Sequence, residues 1–290
     1  CAATLEEQKN EVEMKDIPIA FIGGGNMTRS LIGGLIADGY DPGCIWVADP
    51  DDSQREFLRS RFRVHTGADN LDIAARAKVI VLAVKPQLLK SVAQQLATAI
   101  QLCPQLVISI ATGVREPDLR RWLGGGSLAL VRTMPNTPAL VSSSATALFA
   151  NEFVSEDHRQ LAESLLRAVG VTVWVNNEHQ LDVVTALSGS GPAYFFLLME
   201  ALEQAGATLG LDADTARLLT LQTAFGAAKM ALESAESPAI LRDRVTSPGG
   251  TTERALTVLC EGGIELLVAK ALEAARYRAG ELGDLLGGQP

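Results

Sequence analysis

Residues 244 to 256 read Arg244-Val245-Thr246-Ser247-Pro248-Gly249-Gly250-Thr251-Thr252-Glu253-Arg254-Ala255-Leu256. Proline and two glycines stop one helix, and two threonines with a glutamate open the next before an apolar run resumes. A helix start offers unpaired N–H groups and the positive end of the peptide dipoles, and glycine lets a ligand approach the backbone closely. The pattern therefore describes a small anion pocket with hydroxyls beside it. Alone, it is explained more simply as a well-capped turn between helices, so the rest of the chain decides between the two.

A second glycine cluster lies near the other end. An apolar run over residues 17–22 leads directly into Gly23-Gly24-Gly25-Asn26-Met27-Thr28 and a helical pattern over 29–38. Strand, glycine turn and helix form the context a dinucleotide fingerprint requires. Gly23 makes the tight turn and Gly25 lets a pyrophosphate reach the helix start. Thr28 stands at the third position, where Gly or Ala is usual, which predicts slightly looser packing of helix on strand. Asp49 ends a second apolar run over 44–48, 24 residues after Gly25, near the spacing of about 20 expected for the acid that bonds the adenosine ribose. A carboxylate there favours NAD over NADP. Asp49-Pro50-Asp51 serves equally well as a cap for the next helix, and Ser53 and Arg55 supply parts of a phosphate site, so the preference stays open.

These residues need a frame to hold them. Apolar runs over 79–84, 106–110 and 128–131 have the length and composition of strands buried on both faces. They end in Lys85-Pro86, in Ala111-Thr112-Gly113 and in Arg132-Thr133-Met134-Pro135-Asn136-Thr137-Pro138. A helix over 156–169 and a strand over 171–175 complete this half. Strands alternating with helices predict a parallel sheet whose ligands bind beyond the carboxyl ends of the strands. From Glu178 onward the pattern is almost wholly helical. The predicted fold class is α/β: a dinucleotide-binding parallel-sheet domain over 17–176, then an all-α domain over 177–290, with residues 1–16 as a flexible leader. A helix over 193–207 is apolar on too many faces for solvent, which predicts a core or a subunit interface, and hence a homodimer.

Composition narrows the partners. The chain has 290 residues, 47% hydrophobic and 20% charged, with net charge -9, which reads as globular rather than disordered. That charge, with no basic stripe or aromatic platform, argues against nucleic acid. The most apolar stretch, residues 193–199, is too short to span a bilayer before Glu200 and Glu203 interrupt it. Cys1, Cys44, Cys103 and Cys260 have no metal-type spacing. They read as reduced thiols in a cytoplasmic protein, with no signal peptide and no metal expected.

Taken together, Phe21 to Met27, Ala83-Val84-Lys85-Pro86, Met134 to Pro138, Ser188-Gly189-Ser190-Gly191-Pro192-Ala193-Tyr194 and Val245 to Thr252 resemble pyrroline-5-carboxylate reductase. Order and spacing match over residues 17–285, and the last two motifs are specific to that family. The resemblance implies reduction of 1-pyrroline-5-carboxylate to L-proline with NADPH or NADH, the last step of proline synthesis. It implies a Rossmann domain, a helical domain that forms an intertwined homodimer, and assembly into a ring such as a decamer. By position it places Ile22, Gly23, Gly24, Gly25, Asn26 and Met27 at the pyrophosphate, and Asp49 and Asn70 at the adenosine. Ala83, Val84, Lys85, Pro86, Ile110, Ala111 and Thr112 would line the ribose and nicotinamide side. Gly250, Thr251 and Thr252 would meet substrate, with Glu178 near it. Thr28 departs from the family's usual alanine, and Arg244 stands where related chains vary.

The chemistry fits these residue types. An imine that enters protonated needs orientation over the nicotinamide, an anchor for its carboxylate and a hydrogen bond at nitrogen, but no strong acid. The sequence assigns the N–H groups of Gly250 and Thr251 to the carboxylate and the Thr252 hydroxyl, as the catalytic group, to nitrogen. A hydroxy-acid dehydrogenase would need a base. His65, His158 and His179 read as solvated residues in loops or at helix edges. The β-hydroxyacid dehydrogenases, which share this architecture, use a lysine and an asparagine of the second domain. This chain has no asparagine after Asn177, and only Lys229 and Lys270 remain. Beside that dehydrogenase alternative stands one from a different class, a dinucleotide-binding sensor or scaffold without turnover, which gives the 244–256 stretch no purpose.

Overall fold

The computed structural model describes residues 15–102 and 105–288. Nearly all of the expected leader, together with Cys1 and Cys103, falls outside them. In chain order the elements are β1 Ile19–Ile22, α1 Asn26–Ala37, β2 Ile45–Ala48, α2 Asp52–Phe62, β3 His65–Gly67, α3 Asn70–Ala74, β4 Val79–Leu82, α4 Pro86–Leu102, β5 Leu106–Ser109, α5 Glu116–Trp122, β6 Leu130–Met134, β7 Ser144–Ala150, α6 Glu156–Arg167 and β8 Gly170–Trp174. Helices follow: α7 Gln180–Val184, a π-helical turn Thr185–Gly189, α8 Gly191–Thr208, α9 Ala213–Glu233, α10 Pro238–Arg244, α11 Thr251–Glu261 and α12 Ile264–Gly287.

The eight strands form one sheet in the order β3-β2-β1-β4-β5-β6-β7-β8. Alternation along the short strands assigns each residue a face. Ile19, Phe21, Val79, Val81, Leu106 and Ile108 pack with Leu31, Ile32 and Leu35 of α1. Ala20, Ile22, Ile80, Leu82 and Val107 pack with Leu89, Ala93 and Leu96 of α4. Both faces are thus covered, which is why these strands read as continuous apolar runs. The chain order reverses between β1 and β4, and that switch point opens a crevice at the carboxyl ends.

Two strands go beyond the expected set. β3 is a three-residue polar edge strand beside β2. β7 lies antiparallel to β6 and parallel to β8, so the sheet is not wholly parallel as expected. Its Ser-Ala-Thr-Ala start lacks a large apolar signal, and its buried Ser144 and Thr146 hydroxyls satisfy each other at 3.0 Å.

The chain divides into two compact units, one running to Gly189 and resuming at Ala275, the other Ser190–Ala274. The break falls later than the expected 176/177. Leu181 and Ala186 are buried in the first unit, and α7 packs against β6 and β7. Arg115 also pairs with Asp284 at 2.9 Å, tying the end of α12 to α5. The second unit carries many exposed apolar side chains, among them Phe195 (64%), Phe196 (65%) and Leu197 (66%) of α8. The helical run Gln180–Thr208 is 29 residues long and holds an 18-residue stretch of mean hydropathy 1.3, enough to cross a membrane by length and composition only, a test that the core helix of a soluble protein passes as well. Residues 193–199, the most apolar stretch of the sequence, lie within this longer run.

Candidate functional site

The glycine turn after β1 is built for close approach. Gly23 has φ +106°, and a Cβ there would lie 2.7 Å from the Ala83 carbonyl oxygen. Its N–H donates to the Ala48 carbonyl at 2.8 Å, linking β1 to β2. Thr28 is fully buried, and its hydroxyl donates to the Gly23 carbonyl at 2.6 Å. Instead of loosening the packing, as expected, this threonine ties the first turn of α1 to the glycine bend.

Gly25 is the N-cap of α1, with no side-chain cap and no acidic residue in the first turn. A Cβ there would meet nothing within 4 Å, so the helix start faces open space. In the same unit Asp51 caps α2, Asp69 caps α3 and Ser155 caps α6, while α5, behind Arg115, also lacks a side-chain cap. An uncapped start presents free N–H groups and the positive dipole end, which suits a pyrophosphate.

Other predicted residues gather on the same sheet edge. The Ala83 N–H donates to Ile22 at 2.8 Å, and Lys85-Pro86 turns the chain into α4. The Ile110 N–H donates to Leu82 at 3.1 Å, and the Thr112 hydroxyl meets Met134 Sδ at 3.5 Å. Asn70 opens α3 just past β3, its amide 3.5 Å from Gln95 Oε1. Asp49 accepts the Gly24 N–H at 2.7 Å and the Asp51 N–H at 2.9 Å. It braces the glycine loop from the end of β2 and does not act as the cap of α2, which is Asp51. The Ser53 hydroxyl and then its N–H bond the Asp51 carboxylate, holding it below the usual aspartate range.

Asn136, quoted in a motif but given no role by the sequence, joins two of those motifs. Its side chain donates to the Ser188 carbonyl at 3.0 Å and accepts the Ala145 N–H at 3.0 Å. A Cβ on Gly189 would lie 2.3 Å from Met134 Cε. The signal was present in the sequence as two Gly- and Pro-rich motifs, but not their contact across 52 residues.

Glu178 differs from its expected place with substrate. Its carboxylate pairs with Arg132 and accepts the Glu116 N–H at 2.5 Å. Glu116 in turn accepts from Asn151 at 2.8 Å and pairs with Arg120 at 2.9 Å. Arg132 and Glu116 are each 7% exposed, and a buried charge persists only when paired this fully. Glu178 therefore fastens α7 to the sheet.

In the second unit, α11 begins at Thr251 with Gly250 as N-cap and no side-chain cap. Gly249 takes φ +72°, and a Cβ on Gly250 would lie 2.9 Å from the Ser247 carbonyl. The turn uses some of its own donors. The Gly250 N–H donates to Ser247 at 3.0 Å, and the Gly249 N–H to Glu253 Oε2 at 2.7 Å. This corrects the expected donor pair: Gly250 shapes the bend, and the N–H groups of Thr251 and Thr252, in the first turn, remain for an anion. The flanking Thr246 and Thr257 hydroxyls donate to carbonyls four residues back, at 2.6 and 2.9 Å. Among the described residues, Thr251 and Thr252 make no such bond, since no helical turn precedes them.

The histidines offer no base. His65 lies in β3, not in a loop, and stacks on Trp46 at 4.0 Å. His158 is half-buried rather than solvated, and His179 is exposed. Among the described residues none of the three bonds a carboxylate, and no group of three or more His, Cys, Asp or Glu could hold a metal ion.

Comparison with known proteins follows the same division. The family described as "Pyrroline-5-carboxylate reductase dimerisation" matches residues 178–282. That described as "NADP oxidoreductase coenzyme F420-dependent" matches residues 18–113. A pyrroline-5-carboxylate reductase of Pseudomonas aeruginosa is 51% identical over 93% of this chain and 98% of its own length. The chain belongs to the pyrroline-5-carboxylate reductase family. A solved structure of such a reductase from Coxiella burnetii, 51% identical, aligns with TM-score 0.89 over 92% of this chain and 98% of that one. One from Plasmodium falciparum with NADP bound, 28% identical, aligns with TM-score 0.81 over 93% and 99%. The second unit, with the exposed apolar face of α8, falls inside the matched dimerisation segment.

Proposed function

We propose that this chain reduces 1-pyrroline-5-carboxylate to L-proline with NAD(P)H, the last step of proline biosynthesis. One observation carries the assignment of roles: among the described residues of a chain of this family, two helices, one in each unit, take glycine as N-cap and so have no side-chain cap. The start of α1 holds the pyrophosphate through Ile22 to Met27. Asp49 and Asn70 take the adenosine side, and Ala83 to Pro86 with Ile110 to Thr112 line the ribose and nicotinamide side. The start of α11 holds the substrate.

Bound NAD(P)H supplies the hydride, and the chain's own residues bind and orient. In 1-pyrroline-5-carboxylate the carboxylate is carried on a carbon bonded to the ring nitrogen. Thr252 can therefore donate its N–H to the carboxylate while its hydroxyl oxygen accepts from the protonated nitrogen, with the Thr251 N–H as second carboxylate donor. The protonated imine brings its own proton, so reduction at carbon leaves an amine without help from a titrating group. A hydroxyl both donates and accepts, and so serves the amine product as well.

The reading includes a homodimer through the helical unit, as building block of a larger ring such as a decamer, and cytoplasmic residence. The exposed apolar helices support the first, and free Cys44 and Cys260 the second. The test is oxidation of NADH and NADPH, measured separately, with 1-pyrroline-5-carboxylate and with a 3-hydroxy-acid pair as control. Turnover with the imine alone supports the reading, and turnover with the hydroxy acid alone overturns it.

A further inference from the structure

The residues around the end of β2 decide between the two dinucleotides, and their partners are fixed in the structure. Asp49 lies at the carboxyl end of β2, where the acid that bonds the adenosine 2′-hydroxyl belongs in this fold. Its two oxygens accept from Gly24 and Asp51, and a carboxylate with about four acceptor positions keeps room for a ribose hydroxyl. Asp51 and Asp52 follow directly at the start of α2.

A 2′-phosphate would need a cation here, and the arginines nearby already bond protein groups, with the buried Nε of Arg29 left unpartnered. Arg55 donates to the Asp49 carbonyl at 2.7 Å and the Pro50 carbonyl at 2.9 Å, and pairs with Asp52 at 2.8 Å, its side chain 15% exposed. Arg29 bonds Gln54 and lies 4.0 Å over the Phe57 ring. Arg59 pairs with Glu56 at 2.6 Å and donates to Thr66 at 2.9 Å. The Ser53 hydroxyl, the remaining phosphate-type donor, points to Asp51 at 2.8 Å.

We infer that NADH is the working cofactor of this chain, with Asp49, Asp51 and Asp52 excluding the 2′-phosphate of NADPH and Arg55 held on the backbone of the β2 turn. The inference rests on the reading of the crevice as a dinucleotide site. It runs against the NADP in the Plasmodium structure and in the description of the family matching residues 18–113. The reason is electrostatic: like charges a few ångströms apart near a protein surface repel enough to change affinity by about tenfold or more. Salt weakens that repulsion.

Direct binding tests it without reference to catalysis. Dissociation constants for NADH and NADPH are measured by fluorescence at low and high salt, on the wild type and on two variants, Asp49→Asn and the double variant Asp51→Asn with Asp52→Asn. At Asp51 asparagine keeps the N-cap through its one carbonyl oxygen while removing charge, and at Asp49 it keeps one of the two acceptor bonds, to Gly24 or to Asp51. NADH is expected to bind about tenfold tighter or more, with the ratio shrinking as salt rises and in both variants. Wild type binding NADPH as tightly as NADH, or a ratio unmoved by the charge-removing variants, overturns the inference. If 1-pyrroline-5-carboxylate is not reduced but the binding ratio is as expected, the proposed reaction fails and this inference stands.

Discussion

At the residue scale the account rests on hydrogen bonds that are already spent and those that are not. Thr252 is set apart from Thr246 and Thr257 because its hydroxyl has no carbonyl to return to. Thr252→Ala is expected to lower kcat by about 30- to 1000-fold, the value of one pre-positioned hydrogen bond of roughly 2 to 4 kcal/mol. NADH affinity should stay within about twofold of wild type, checked by fluorescence titration beside steady-state rates. Gly23→Ala tests the other helix start. A Cβ 2.7 Å from a backbone oxygen, at φ +106°, should cost about 2 kcal/mol or more and abolish cofactor binding, read by calorimetry and titration. Both glycine turns were legible in sequence, because glycine, proline and threonine announce helix starts. The use of Glu178 was not, since a carboxylate's partner 46 residues away in Arg132 leaves no local mark.

At the element scale, strands buried on both faces declared themselves as unbroken apolar runs, and β1, β2, β4 and β5 fall within the predicted segments. β3 and β7 did not, one being three polar residues long and the other built on alanine, serine and threonine. β8 shows what fixes a sheet edge. The Trp174 indole donates to Glu163 of α6 at 2.9 Å, and Thr172 and Arg167 bond the same carboxylate. Those bonds, the indole's first, hold Glu163 below the usual glutamate value. A folded-state pKa below the unfolded one gives stability that is present above the unfolded value and lost as pH falls through the folded one. As pH falls from about 5 toward about 3, the melting temperature of the wild type should therefore fall more steeply than that of Glu163→Gln. Parallel slopes in thermal scans would remove this carboxylate from the acid response.

At the scale of the whole molecule, the sequence anticipated an α/β half followed by helices, but not that the compact break comes at Gly189 or that the chain's end returns to the first unit. Return of a terminal helix depends on pairs such as Arg115 with Asp284, far apart in sequence. The apolar face of α8 was legible because too many of its positions are apolar, and it lies within the matched dimerisation segment. Phe196→Glu is expected to shift sedimentation toward the monomer and lower the melting temperature. In the wild type that temperature should rise with protein concentration, as it does when association stabilises the fold.

The central claim is that two glycine-capped helix starts, rather than an acid and a base, carry out an imine reduction. Its most direct measurement is the proline formed per NADH oxidised when 1-pyrroline-5-carboxylate is supplied to the wild-type protein. The account predicts one L-proline for each NADH consumed, with loss of turnover in Thr252→Ala. NADH bound but left unoxidised in the presence of the imine, or full turnover by Thr252→Ala, would contradict it.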